Sequence, residues 1–363
     1  MCNMMTNRER MIRTCQCLPV DRLPLWFMFG PWGETLERWR LEGLSSDDWR
    51  VPFDFDAGFE ALPVNLGLSP KFTHEILSED EKYQTVRGEN GITWRQMKNT
   101  SGIPQYIDYP VKTRRDWEEL RDTRLNPHST ERFPENWYST ITDMQDRGAA
   151  VQIGSYPYGL FGTLRDFMGV EELLVGFYDE PELIHEMMDY LTDFWLTIYT
   201  NALKDVQIDH IHIWEDMSGK QGSLISPEMF CRFMMPCYKK IVRFAQDNNI
   251  AVVSVDTDGN MDTLMPLLAE SGINLVLPFE VQRRCDIVEF KRQYPNICLC
   301  GGINKLEIAK GRAAIDKELD RIAPILGGTG YIPALDHLVH PDISFDDFTY
   351  FVTELRRQMN ERT

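Results

Sequence analysis

The chain has 363 residues, 43% of them hydrophobic and 26% charged, which is the composition of a folded globular protein and excludes a mainly disordered one. Its 56 acidic residues against 38 basic ones give a formal charge of −18, a balance that repels nucleic-acid phosphates and anionic membranes and argues against both as partners. No stretch has the apolar length of a bilayer span.

The start, MCNMMTNRERMIRTCQ, has no continuous apolar core after its basic residues and so does not read as a signal peptide. The eight cysteines are dispersed and form no CxxC pair, which points to reduced thiols and a cytoplasmic location.

Short apolar runs recur along the chain, separated by longer amphipathic stretches. Strands are expected at Leu23–Phe29, near Asp56–Leu62, and at Ala150–Ser155, His210–Glu215, Ala251–Asp256, Ile273–Phe279, Ile297–Gly301 and Gly330–Leu335. Several are apolar on both faces, as parallel strands covered by helices are. Helix starts are marked by Ser226-Pro227-Glu228 and by Asp179-Glu180-Pro181-Glu182. This alternation predicts an α/β fold, a (β/α)8 TIM barrel forming one domain over residues 1–363. A doubly wound sheet is the competing architecture, but Phe29-Gly30-Pro31-Trp32-Gly33 is not a phosphate-binding glycine fingerprint. Residues 71–112 break the rhythm and read as a small β-rich insertion after the second strand, with a hairpin around Gly88-Glu89-Asn90-Gly91. It is either part of a lid at the rim or a decoration.

In a parallel barrel, residues just past the strands converge on one mouth, where chemistry resides. Those positions hold Ser155 and Tyr156, Glu215 and Asp216, Asp256 and Asp258, Glu280, Asn304 and Lys305, and Asp336 and His337. Asp256 and Asp258 alternate on an extended segment and so share a face, from which both reach a cation; the alternative is a turn at Asp258-Gly259-Asn260 that caps the next helix. Glu280 ends an apolar run, where a carboxylate is costly unless paired or liganded. His337 reads as a ligand, a proton shuttle or a structural tie, and His340 as a loop residue. His210 and His212 share one face of their strand and read as packing residues or as supports for the site's own groups, rather than as catalytic ones. Cys298 and Cys300, like the helical methionines, read as core.

Several segments together resemble the uroporphyrinogen-decarboxylase-like superfamily over nearly the whole length. They are Arg22-Leu23-Pro24-Leu25-Trp26, IWEDMSGKQGSLISPEMFCRFMMPCYKKI, VDTDGNMDTLMPLLAESGINLVLPFE, CGGINKLEIAKG and GGTGYIPALDHLVHPDISFDDF. In the decarboxylases of that family, which use no metal, an arginine-rich opening segment grips the substrate carboxylates. The corresponding FMFGPWGETLERW carries glycine, proline and tryptophan instead. In the corrinoid-linked methyltransferase branch a His-x-Cys pair and a later cysteine bind zinc. Those positions fall here on Asp256-x-Asp258 and near Asp336, with a further ligand position on Glu280.

The resemblance therefore implies a divalent metal, zinc or a harder ion, on Asp256, Asp258, Glu280 and Asp336. It implies Asp256, Glu215, Asp216 and His337 as catalytic groups, with Tyr156, Trp32, Asn304 and Lys305 holding a small methylated substrate. The corrinoid would come from a separate protein, since the chain has no cobalamin-binding domain. Two rivals remain: a carboxy-lyase acting on uroporphyrinogen or another acid, and a non-catalytic subunit that docks a corrinoid protein. A homo-oligomer is compatible with either.

Overall fold

The computed structural model describes residues 4–98, 104–281 and 285–362. Its centre is a curled, all-parallel sheet of seven strands. In order these are β1 (Phe59–Ala61), β6 (Ala150–Ile153), β7 (His210–Trp214), β10 (Val252–Asp256), β11 (Leu275–Phe279), β12 (Cys298–Ile303) and β13 (Tyr331–Leu335). Every residue of β6, β10, β11, β12 and β13 is buried, because side chains fill one face and crossover helices cover the other. The helices include Leu160–Met168 and Pro181–Ala202 before β7, Met235–Asp247 before β10, and Arg312–Leu326 before β13. Ser226 accepts the Met229 amide at 3.2 Å and Pro227 opens the first turn, as the sequence pattern predicts. This is a TIM-barrel-like α/β fold.

The expected first strand is not one. Leu23–Phe29 runs extended without a ladder, so seven strands pair where eight were anticipated. Pro24 has no N–H, and the Leu25 N–H goes to the Asp56 carboxylate at 2.8 Å while the Leu25 carbonyl accepts the Asp56 amide at 2.9 Å. Arg10 and Arg22 clamp the same carboxylate at 3.1 Å and 2.6 Å. Past the segment, the Gly30 carbonyl and the Trp32 amide bond Val339, just after β13. The segment thus links the start of β1 to the end of β13 and occupies the gap in the ring. Its side chains Leu23, Leu25 and Phe27 are buried, the last against Phe351 and Phe348.

Between β1 and β6 lies a four-stranded antiparallel sheet: β2 (Glu75–Glu79), β3 (Tyr83–Arg87), β4 (Thr93–Met97) and β5 (Gln105–Asp108). The β3–β4 turn is the anticipated hairpin, with Gly91 at φ +84°. After β7 a two-stranded ribbon, β8 (Ser218–Gly219) and β9 (Gly222–Ser223), packs on the loop after β10. A Cβ on Gly259 would stand 2.7 Å from the Gly219 carbonyl oxygen, so that close approach needs glycine.

Candidate active site at the mouth of the barrel

The parallel strands deliver their C-terminal residues to one end, and six side chains gather there. Lys305, following β12, places its Nζ 3.2 Å from Asp336 Oδ1 and 3.9 Å from Glu280 Oε1. The Lys305 and Val281 amides also donate to Asp336, at 3.1 Å and 3.3 Å. Glu280 accepts the Gly259 amide at 3.0 Å. His337 Nε2 lies 3.7 Å from Asp258 Oδ2, and its ring stacks on Phe29 with centroids 4.9 Å apart. Asp256, at the end of β10, is buried, with Oδ2 3.6 Å from His212 Nε2.

This crowding sets the protonation states. Burial pushes the Asp258 carboxyl up to about 7, and the negative charges of Glu280, Asp216 and Asp256 add to the effect. Asp256 is raised by burial, against the pull of His212. Asp336 is raised by burial, against Lys305. His337 is lowered by burial and then by Lys305, which favours the neutral ring. At neutral pH the mouth therefore holds a carboxyl partly in its acid form beside a neutral imidazole. Such a pair can give and take a proton.

Beneath the mouth the two strand histidines share a serine hydroxyl. Ser254 Oγ lies 2.7 Å from His210 Nε2 and 2.8 Å from His212 Nδ1. The β7–β10 register, with Ser254 opposite His212, puts all three on one face. His210 Nδ1 and His212 Nε2, both buried, have no hydrogen-bond partner among the described residues. A line of polar groups, His210–Ser254–His212–Asp256, thus leads from the barrel interior to the mouth. The sequence reading missed Ser254; the signal was a hydroxyl inside the apolar run AVVSVD.

Other expected site residues have structural partners of their own. Glu215 is fully buried and accepts four hydrogen bonds: Leu160 N at 3.0 Å, Phe161 N at 2.6 Å, Gly162 N at 3.1 Å and Tyr238 OH at 2.6 Å. It caps the first turn of helix Leu160–Met168. Burial raises its carboxyl to about 7, while Tyr238 and the three amides pull the other way. A Cβ on Gly159 would stand 1.9 Å from the Trp214 carbonyl oxygen and 2.8 Å from Glu215 Oε2, so the helix docks only with glycine there. Asn304 caps the short helix Lys305–Ile308 through the Leu306 amide at 2.9 Å. Asp216, at φ +44°, pairs with Arg165 at 2.7 Å, and Arg165 also lies over the Trp214 ring. Arg165 carried no signal in the sequence. Tyr156 and Trp32 are exposed, the former edge-on to Trp214 at 4.6 Å.

The anticipated metal ligands are not arranged as a ligand set. Among the described residues no group of three or more His, Cys, Asp or Glu side chains converges to hold a metal ion. The Lys305 ammonium is the cation between Glu280 and Asp336, while Asp256 and Asp258 face different histidines.

A parallel α/β barrel whose strand ends carry paired acids, a lysine and a histidine is an architecture on which acid–base chemistry is built. The chain belongs to the uroporphyrinogen decarboxylase (URO-D) family, whose model matches residues 96–358. It is 22% identical over 348 residues to a uroporphyrinogen decarboxylase of Alkalilimnicola ehrlichii, covering 92% of this chain and 90% of that one. A second, from Colwellia psychrerythraea, is 23% identical over 54% of each chain. Among solved structures it is similar to a methyltransferase from Methanosarcina mazei, with a TM-score of 0.57 at 16% identity over 98% of this chain and 99% of that one. That likeness is one of fold. Among the described residues no helix is long and apolar enough to cross a membrane.

Proposed function

We propose that the chain is a methyltransferase that removes a methyl group from a small methoxylated donor, with Asp258 as the acid that protonates the departing oxygen. The observation that carries this reading is a carboxyl raised to about 7 beside a neutral-leaning His337 at the barrel mouth. Loss of methyl from an ether leaves an alkoxide or phenoxide, whose departure a proton donor assists by roughly 10²–10⁴-fold. A quaternary amine departs neutral and needs no proton, so the acid favours an O-methyl donor. The proton passes from Asp258 to the oxygen as the C–O bond breaks, and His337 and solvent return one to Asp258. Lys305 holds Asp336 and Glu280 in place from between them. In this reading a corrinoid on a separate protein supplies the acceptor for the methyl group. The chain works in the cytoplasm, alone or as a homo-oligomer. Among the described residues the carboxylates are not placed to share a metal ion.

Decarboxylation is the second reading, favoured by the curated relatives. The same acid would protonate the carbanion left by loss of CO₂. A polyacid substrate fits poorly, because Lys305 and Arg165 are already paired with Asp336 and Asp216. The test is anaerobic incubation with reduced cobalamin and a panel of aryl methyl ethers, read by cobalamin absorbance, beside CO₂ release from uroporphyrinogen. Methyl transfer that Asp258→Asn abolishes supports the first reading; CO₂ release without methyl transfer replaces it with the second.

A further inference from the structure

Between the antiparallel sheet and the barrel lies a half-open cavity of about 420 Å³, whose lining shares no residue with the acidic mouth. Its walls are apolar where the loop after β1 and the barrel helices meet, at Leu66, Leu68 and Phe167, and Trp94 of β4 lies across from them. Such a volume lies within the range of small-molecule sites. The polar groups are few and unequal. Lys71 is neutralised by Glu89, 2.6 Å away. Asp166, on helix Leu160–Met168, is partly buried and accepts no hydrogen bond from any described residue; burial raises its carboxyl to about 6, against the pull of the neighbouring Arg165 charge. His74, Tyr158 and the uncharged Asn65, Asn90 and Thr163 complete the polar lining, and the Tyr158 hydroxyl has no hydrogen-bond partner among the described residues.

With Lys71 offset by Glu89, the partly buried Asp166 leaves the lining with an excess of negative charge, which a cationic ligand would neutralise. An anion would meet Asp166 with like charge, and a neutral molecule would leave it unpaired. The faces of Leu66, Leu68, Phe167 and Trp94 ask for a flat apolar body.

We infer that this cavity is a binding site for a small amine, a protonated amino group on an aromatic or similarly apolar body, with the ammonium on Asp166 and the body beside Trp94. The site is separate from the mouth, so it serves an accessory ligand rather than the reacting group. It gives the inserted sheet a purpose, since β4 and the hairpin turn supply one wall.

The test is calorimetric titration of the full chain with three molecules of one shape: tryptamine, its neutral alcohol analogue tryptophol, and the anion indole-3-propionate. Tryptamine is expected to bind saturably, about tenfold or more tighter than either analogue. Asp166→Asn should remove that preference with the melting temperature retained. Trp94→Ala should weaken tryptamine and tryptophol alike, and Asp258→Asn should leave tryptamine binding unchanged. Absence of saturable tryptamine binding would overturn the inference. So would equal binding of the anion, full affinity in Asp166→Asn, or loss of binding in Asp258→Asn, which would put the ligand at the mouth.

Discussion

Glu215→Ala separates a structural role from a catalytic one. Its carboxylate satisfies the Leu160, Phe161 and Gly162 amides and the Tyr238 hydroxyl, all in a fully buried setting. A buried donor left without an acceptor costs about 1–3 kcal/mol. Four such losses are not additive, because water can enter the space left by the side chain and the helix terminus can shift. Breaking a buried charged network costs about 3–5 kcal/mol as a whole, so about 4 kcal/mol is expected here. Glu215→Gln keeps the shape and one acceptor oxygen but turns an NH₂ toward amide donors, for about 2 kcal/mol. Against a typical total of about 5–15 kcal/mol, the alanine variant should lose much of its stability. Urea unfolding followed by circular dichroism measures both, with the slope m unchanged. An alanine variant destabilised by under about 0.5 kcal/mol, the range of ordinary surface changes, yet without turnover, would refute this reasoning and return Glu215 to the substrate.

Three further outcomes follow from buried groups. Arg132 donates to the carbonyls of Asn126, Asn65, Gly67 and Arg124 and so ties down the loop after β1. Lysine lacks that planar fork, so Arg132→Lys should cost about 3 kcal/mol in urea titration, and a loss near zero would contradict the role. Ser254→Ala strips both strand histidines of their shared hydroxyl and should cost about 2 kcal/mol; an unchanged histidine NMR spectrum would show the contacts to be absent in solution. The raised carboxyls also set a pH trend. Asp258 and Asp166, at about 7 and about 6 when folded, lie above their unfolded values, so their contribution is fully present below about 4 and is lost as pH rises through those folded values. Urea midpoints should fall from pH 5 to pH 7.5, less steeply in Asp258→Asn; a rising midpoint would contradict the assignment.

Burial was more legible in the sequence than hydrogen bonding. Apolar runs located β6, β7 and β10 to β13 because buried parallel strands are apolar on both faces. The same signal marked Leu23–Phe29, which is indeed buried; its backbone partner is a carboxylate 31 residues away, and periodicity carries no record of that. The strand ends were also legible, so Asp258, Glu280, Lys305, Asp336 and His337 do meet. What each does at the mouth was not. Lys305 stands as an internal counter-ion where a metal was expected, and Glu215 points to a helix 53 to 55 residues earlier in the chain. Asp256 and Asp258 alternate in sequence, but β10 ends at Asp256, so the alternation does not carry on to Asp258: the first lies buried near His212 and the second half-buried beside His337.

Under the proposed function, Asp258 is the proton donor for methyl transfer. The most direct test of that role is the pH profile of methyl transfer from an aryl methyl ether to reduced cobalamin, for wild type and Asp258→Asn. The account predicts a wild-type rate that falls as pH rises through about 7, where Asp258 loses its proton. It also predicts a loss of roughly 10²–10⁴-fold in the variant, together with that limb of the profile. A variant that transfers methyl at the wild-type rate, or keeps the same pH dependence, would contradict it.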